Sequence, residues 1–160
     1  MSVRIGQGYD VHPFSEDPAR PLVLGGVTVD GSPGLVGHSD ADAVAHACAD
    51  AVLGAAGLGD LGDHFPDTDP RWSGADSLTL LTEVVRLAAE AGWRVVNVDA
   101  TIIAERPKLG PLRPQMADRL TRERCDVVAA LPLAGRLGSL NVSAAAAVAC
   151  YEIARLRQGG

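Results

Sequence analysis

The sequence predicts an α+β fold, a sandwich in which helices cover a sheet, formed by residues 1–160 as a single domain. The order of the predicted elements is strand, hairpin, helix, helix, strand, helix, strand, helix, which is typical of helices packed on a sheet. The chain has 160 residues, of which 47% are hydrophobic and only 4% aromatic. That length suits one core, built here mainly from Ala, Val, Leu and Ile.

The first half of the chain contains a strand, a hairpin and a helix. Apolar and polar or small residues alternate over residues 3–12, which predicts a strand. Residues 21–31 predict a hairpin around Gly25-Gly26. The next segment predicts a helix that begins near Ser39 or Asp40, both good N-caps, and ends at Gly57.

A long loop separates this helix from the second half. Residues 57–74 are rich in Gly, Asp and Pro and predict the loop, and a helix capped at Asp76 or Ser77 should follow and end at Gly92. The remaining segments predict, in order, a strand, a turn, a helix, a strand and a final helix: residues 93–105, 106–114, 114–125, 126–133 and 139–157.

Charge and composition exclude several classes of protein. The formal net charge is −6, so general attraction to nucleic acid is not expected. No apolar run is long enough for a membrane span, and the first residues lack the pattern of a signal peptide. Three widely spaced cysteines, Cys48, Cys125 and Cys150, suit reduced thiols, and we expect a cytoplasmic protein.

One acid and two histidines form a candidate metal site. On a strand, Asp10 and His12 point to the same side, and two such groups bind a cation if a third ligand joins them. His46, on the first helix, is the candidate third ligand, and the set suits zinc with its fourth position open. Asp42, four residues earlier, would orient the His46 ring. The alternatives are a solvated strand end and an Asp–His pair that only stabilises the helix.

Several long motifs resemble one enzyme family. RIGQGYDVHPF, LVLGGV, HSDADAVAHACADAVLGAAGLGDLGDHFPDTDP, GADS and NVDATIIAERPKLGP closely resemble the 2-C-methyl-D-erythritol 2,4-cyclodiphosphate synthases over residues 3–116. The resemblance implies a homotrimer with active sites between subunits and Zn²⁺, or another divalent cation, on Asp10, His12 and His46. It also implies 4-diphosphocytidyl-2-C-methyl-D-erythritol 2-phosphate as substrate, CMP as leaving group, and Mg²⁺ or Mn²⁺ with the diphosphate.

The same resemblance implies the remaining site residues. His38 would act on the transition state, and with Ser39 and the helix N-terminal amides it would bind phosphate. Residues of the loop would cover the erythritol and its phosphate: Asp60, Gly62, Phe65, Pro66, Asp67, Thr68 and Asp69. The following turn would hold the cytidine: Ala104, Glu105, Arg106, Pro107, Lys108, Leu109 and Gly110. The alternative for the loop is a solvated connector, which the length of the loop disfavours. Without the family, the turn is interpreted as an ordinary Pro-Gly turn.

The C-terminal segment departs from this family. The family's T-T-T-E and G-R-G-E-G segments, which carry a Thr that assists phosphoryl transfer and a Glu that binds the second ion, are absent. Residues 120–157 instead resemble the end of SpoU-type RNA ribose methyltransferases. The chain therefore divides into a synthase-like body, residues 1–118, and an atypical methyltransferase-like segment, residues 119–160. Three functions compete: a synthase impaired by its C-terminus, a methyltransferase fragment that binds S-adenosylmethionine, and a catalytically dead trimer that binds metal and nucleotide.

Overall fold

The structure, a computed structural model, describes residues 3–121 and, for the backbone alone, residues 145–155. The strands are β1 (Val3–His12), β2 (Pro21–Leu24), β3 (Val27–Pro33), β4 (Trp93–Ile103) and β5 (Ala145–Arg155). The helices are α1 (Ala43–Ala56), α2 (Leu61–His64), α3 (Ser77–Glu90) and α4 (Arg113–Thr121), and single 3₁₀ turns span Pro70–Trp72 and Gly110–Leu112. Mixed helices and strands of this kind confirm the predicted α+β class.

The larger sheet has three antiparallel strands in the order β1–β5–β4, and β2 and β3 form a separate hairpin. The predicted final helix is therefore wrong in its central part, because residues 145–155 are the middle strand of the sheet. The alanine-rich sequence favours a helix, but hydrogen bonding to strands on both sides outweighs that local preference. The predicted strand over 126–133 and the last four residues of the predicted helix over 114–125 lie outside the described residues.

The two faces of β1 differ as the alternation predicted. Gly6 and Gly8 face α1, and the backbones are so close that a Cβ on Gly8 would lie 1.9 Å from the Ala47 carbonyl oxygen. At the far end of the same face, Arg4 donates to the carbonyls of Ala55 and Ala56 at the end of α1. The face that carries Asp10 and His12 is thus fixed against the helix that carries His46.

Because the contact at Gly8 leaves no room for a side chain, we expect Gly8→Ala to destabilise the fold by about 3 kcal/mol or more, as overpacking against backbone does. Gly54→Ala is the matched control, since that glycine lies in α1 with open space around its Cβ position. The control should be neutral or stabilising by about 1 kcal/mol. Urea unfolding of both variants measures the difference, and equal stabilities would contradict the close contact.

Helix α1 lies between the sheet and α3 and is buried almost all round. Val44, Cys48, Ala51 and Ala55, which recur at helical spacing, are buried, as are most of the other residues of the helix. The helix begins later than predicted, at Ala43, because Asp42 and not Ser39 or Asp40 is the N-cap. Small side chains on all sides allow strands and a second helix to approach α1 closely.

The remaining elements follow the predictions with small shifts. The loop over 57–74 contains α2 and a 3₁₀ turn, α3 is capped by Asp76 as expected, and its buried residues include Val84, whereas Val85 is only partly buried. In β4 the register shifts between Val95 and Asn97, so the buried positions change phase along the strand. Among the described residues, no helix has the length and apolar character needed to cross a membrane.

Candidate metal centre

Asp10, His12 and His46 meet at the end of β1, as predicted. The Asp10 Oδ2 atom lies 2.9 Å from His12 Nε2 and 3.0 Å from His46 Nδ1, and the two ring nitrogens are 3.4 Å apart. The three side chains are 13–20% exposed, so the cluster is sheltered but reachable. The three atoms could hold one metal ion.

The spacing of these atoms fits a tetrahedral ion. Ligands bound at about 2.1 Å with tetrahedral angles lie about 3.4 Å from one another. The observed separations of 2.9–3.4 Å need only a small expansion to reach that value. Two imidazoles and one carboxylate with an open fourth position are the donor set of catalytic sites, not of closed structural ones.

The outer nitrogen of each histidine ring is held by the protein. His12 Nδ1 lies 2.7 Å from the Val36 carbonyl oxygen, and since a carbonyl only accepts, this nitrogen carries the proton. The lone pair of His12 is therefore on Nε2, which faces Asp10 and His46. His46 Nε2 lies 2.8 Å from Ser77 Oγ and 3.1 Å from Ser39 Oγ, which leaves Nδ1 to face the cluster. Both rings are in the orientation that a metal ligand requires.

Ser77 and Asp40 extend the contact behind His46, and sequence reasoning missed both. The Ser77 hydroxyl donates to Asp40 Oδ1, so its oxygen is free to accept from His46 Nε2. Asp40 Oδ2 also accepts from the Ser77 backbone N–H at 3.3 Å. Ser77 is the first residue of α3 and lies far from His46 in the sequence. The G-A-D-S motif, one of those that resemble the synthase family, is the sequence feature that points to Ser77.

The cluster shifts the pKa values of its own members. Burial acts to raise the pKa of Asp10, but hydrogen bonds and positive charge from His12 and His46 outweigh it and lower that pKa. The hydrogen bond to Asp10 raises the pKa of His12 against the opposing effect of burial. Because a metal ligand must be deprotonated, a bound cation would compete with protonation of His12.

The structure corrects the predicted role of Asp42. Its carboxylate is fully buried and accepts from the backbone N–H groups of Gly25, Gly26, Val44 and Ala45, at 2.6–3.1 Å. The side chain therefore caps α1 and ties it to the hairpin, and Ser77 takes the position behind His46 that Asp42 was expected to fill. Burial raises the pKa of Asp42.

The contacts of Asp42 also bear on the helix N-terminus, whose amides were expected to bind phosphate. The helix begins at Ala43, and two of its N-terminal amides, those of Val44 and Ala45, donate to Asp42. The Ser39 hydroxyl, likewise expected at the phosphate, lies within hydrogen-bonding distance of His46 and Ser77 and accepts from Ala41 N–H. In this structure the Ser39 hydroxyl thus lies behind the His46 ring.

The hydrogen bond from His46 to Ser77 predicts that Ser77→Ala will weaken metal binding. Removing a group that orients a ligand typically costs about 10- to 100-fold in affinity, and we expect the lower end because Ser39 also contacts the ring. Competition with a chromophoric chelator for Zn²⁺ measures the effect. Thr79→Ala, which removes an exposed hydroxyl from the same helix, is the control. Equal affinities of Ser77→Ala and the control would remove Ser77 from this role.

The predicted substrate loop is a folded segment beside the centre. Asp60 caps α2 with a reciprocal contact to Asp63, and Asp69 caps the following 3₁₀ turn. The ring of Phe65 packs edge-on against Trp72, with centroids 5.0 Å apart. Asp50 of α1 accepts from Leu61 N–H at 2.8 Å, and burial raises its pKa.

The outer part of the loop is open to solvent. Gly62, Asp67 and Thr68 are exposed, and Pro66 and Asp69 are partly buried. His38 Nε2 is 3.3 Å from the Asp69 carbonyl oxygen, so His38 joins the loop to the segment before α1. That segment also contacts His12 through the Val36 carbonyl and His46 through the Ser39 hydroxyl, so it connects the loop to the candidate centre.

The predicted cytidine turn follows β4. Leu109 is buried, Ala104 and Pro107 are partly buried, and the Arg106–Pro107 peptide bond is cis. The other four residues are exposed: Glu105, Arg106, Lys108 and Gly110. Within the part of the chain that the structure describes, no hydrogen bond joins this turn to the triad of Asp10, His12 and His46.

Comparison with known proteins gives one family. The YgbB family matches residues 3–130. The 2-C-methyl-D-erythritol 2,4-cyclodiphosphate synthase of Thermosynechococcus vestitus is 47% identical over 163 residues, which cover 99% of each chain. The synthase of Ralstonia pickettii is 56% identical over 135 residues, 81% of this chain and 79% of the relative. A solved 2C-methyl-D-erythritol-2,4-cyclodiphosphate synthase in its CDP-bound form has a TM-score of 0.80 at 38% identity and covers 94% of this chain and 100% of its own.

These comparisons do not support the methyltransferase-like C-terminal segment. The family match continues to residue 130, and the alignment with the Thermosynechococcus vestitus synthase covers 99% of this chain. Most of the segment over residues 120–157, whose sequence resembles SpoU-type enzymes, is therefore aligned with a synthase. Its described portion includes β5, which is a strand of the three-stranded sheet.

Proposed function

Because the chain belongs to the YgbB family, we propose that it is a 2-C-methyl-D-erythritol 2,4-cyclodiphosphate synthase. It converts 4-diphosphocytidyl-2-C-methyl-D-erythritol 2-phosphate into the cyclic diphosphate and releases CMP, as a phosphorus–oxygen lyase of non-mevalonate isoprenoid biosynthesis. The observation that carries this proposal is the triad of Asp10, His12 and His46 in a chain that is 47% identical to such a synthase along its length.

The triad holds Zn²⁺ in this proposal. Its donor set and spacing favour zinc in a three-ligand site with an open position. When bound, zinc supplies Lewis-acid polarisation of a diphosphate oxygen. The protein contributes the orientation of both rings, through Val36 behind His12 and Ser77 behind His46. Mg²⁺ or Mn²⁺ accompanies the diphosphate, and we assign it no ligand among the described residues.

The reaction requires no nucleophile from the protein. An oxygen of the substrate's 2-phosphate attacks the β-phosphorus, a new P–O bond closes the ring, and the P–O bond to CMP breaks with its electrons leaving on CMP. The chain must bring two anions together and stabilise the charge that spreads over the phosphoryl oxygens. His38, exposed beside the loop, is the side chain that we place at these oxygens.

We assign the remaining contacts by the family resemblance. The loop that contains Asp60, Gly62 and residues 65–69 covers the erythritol and its phosphate. The turn over residues 104–110 holds the cytidine, which fits the presence of CDP in the solved synthase complex. Residues 1–118 carry these sites, and residues 119–160 complete the same single domain as an atypical C-terminal segment.

A homotrimer would bring the cytidine turn, residues 104–110, close to the triad. The face of β1 opposite α1 exposes apolar side chains that an isolated chain would not be expected to leave in water: Val3, Ile5, Tyr9 and Val11, at 46–75% exposure. Ile103 of β4 is also exposed, at 41%. Three such faces packed together would bury this surface and bring the cytidine turn of one subunit to the metal centre of the next. We place the trimer in the cytoplasm, without nucleic-acid or membrane partners.

The second candidate is a trimer that binds metal and nucleotide but does not turn over. The absence of the T-T-T-E and G-R-G-E-G segments from the sequence favours it. Incubating the protein with the cytidine diphosphate substrate, Zn²⁺ and Mg²⁺ tests both candidates, with CMP measured by chromatography and the cyclic product by phosphorus NMR. Both products together support the synthase. CMP binding without formation of the cyclic product supports the second candidate. If the protein neither binds CMP nor forms the cyclic product, both candidates are rejected.

A further inference from the structure

We propose that Arg20 is a positioning residue that fixes the segment over residues 34–40 and, through it, two of the three metal ligands. The inference rests on the proposed function and adds a residue that the metal site and substrate contacts leave out. Arg20 precedes β2 and is half-buried. Its guanidinium binds three backbone carbonyls: Nε donates to Leu35 at 2.5 Å, and Nη2 donates to Gly37 at 2.9 Å and to Ser39 at 2.5 Å.

The carbonyls of Leu35, Gly37 and Ser39 alternate along the segment with two carbonyls that accept hydrogen bonds from residues other than Arg20. The Val36 carbonyl accepts from His12 Nδ1 at 2.7 Å, and the His38 carbonyl accepts from Gly74 N–H at 2.8 Å. Arg20 therefore holds the 34–40 segment from one side, while the other side faces the metal centre and the substrate loop.

Two metal ligands depend on the placement of this segment. Val36 sets the ring of His12, and Ser39 contacts the ring of His46 at 3.1 Å. His38, which we place at the phosphoryl oxygens, lies between them in the sequence. If Arg20 is lost, the carbonyl of Val36 and the hydroxyl of Ser39 are both free to shift, so both ligands lose their alignment.

Arginine is suited to this role by its shape. The guanidinium is a rigid planar fork whose N–H groups point in fixed directions, and here two of its nitrogens span three carbonyls. Lysine carries one donor nitrogen on a flexible stem and cannot reproduce that span. Among the described residues Arg20 forms no ion pair, so its hydrogen bonds serve the backbone of this segment and not a carboxylate.

The test compares Arg20→Ala and Arg20→Lys with the wild-type protein by three measurements: Zn²⁺ affinity by chelator competition, hydrogen exchange of the peptide over residues 34–41, and urea unfolding. We expect Zn²⁺ affinity to fall about tenfold in Arg20→Ala, as when a group that orients a metal ligand is removed. Exchange should become faster at the amides of Val36 and Asp40, which donate to Pro13 and Ala75 in the intact segment. Arg20→Lys should show the same changes to a smaller extent.

Arg86→Ala is the matched control, because Arg86 is an exposed arginine that pairs with Glu83 and Glu90 on α3. It should leave Zn²⁺ affinity and exchange over residues 34–41 unchanged. If Arg20→Ala does not fold, Arg20→Lys decides. A lower unfolding free energy with wild-type affinity or wild-type exchange in the folded variants would overturn the proposal. Zinc binding without CMP release by the wild-type protein would count against the proposed function alone and leave this comparison intact.

Discussion

His46→Ala is expected to lose high-affinity zinc binding and, with it, CMP release. His46 offers one of the three candidate ligand atoms, and of the three residues it alone comes from α1. With two ligands left, both from β1, affinity should fall by more than the roughly 100-fold that loss of an orienting group can cost. The measurement is zinc stoichiometry after dialysis, followed by CMP release with zinc in excess.

His64→Ala is the control for this prediction. His64 is another partly buried histidine, whose ring Nε2 lies 2.8 Å from the Leu58 carbonyl oxygen, and it does not belong to the triad. The control should keep full zinc stoichiometry. If His46→Ala also keeps it, His46 is not a ligand, and the geometry of the cluster reflects a hydrogen-bonded Asp–His pair only.

The chain as written is expected to bind CMP but to cyclise its substrate slowly or not detectably. The metal centre and the turn over residues 104–110 belong to the described body, whereas the T-T-T-E segment is absent from the sequence. A hydroxyl and a metal ligand that act on the transition state should affect turnover more than ground-state binding. Each loss could reduce the rate on the order of 100-fold, by analogy with removing a transition-state donor.

A graft separates this effect from a failure to fold. Introducing the family's T-T-T-E segment between α4 and β5 should raise turnover by about 100-fold or more and change CMP affinity little. Calorimetry with CMP and a CMP-release assay measure the two quantities. Full synthase activity before the graft would contradict the prediction and would point to Ser139, Asn141 or Ser143 as replacements. Absence of CMP binding would contradict it differently, by indicating that the C-terminal segment prevents assembly.

Patterns local to one element predicted the relative placement of two of the three residues of the candidate metal centre. The alternation in β1 placed Asp10 and His12 on one face, and that face meets α1 because Gly6 and Gly8 have no side chains. Sequence periodicity describes such faces directly, since it depends on residues a few positions apart. The prediction that His46 lies near them came from its residue type and was strengthened by resemblance to the family.

Contacts between distant segments could not be predicted in the same way. Asp42 has the spacing of a helix partner for His46, but backbone N–H groups from the hairpin and from the first turn of α1 bind its carboxylate. Ser77 reaches His46 only because α3 packs on α1. Strand β5 has a helix-forming sequence, and its conformation depends on two partner strands that lie far away in the chain.

The central position of β5 affects how the chain folds during synthesis. Val3 pairs with Ala154, and Trp93 pairs with Arg155, so β1 has to wait for a strand that is synthesised after β4 and α4. Until β5 emerges, the edges of β1 and β4 that it will join have no hydrogen-bonding partner. Pairing over such separations is slow compared with helix formation. Nascent chains should therefore depend on chaperones or low expression temperature to avoid edge-to-edge aggregation before the sheet is complete.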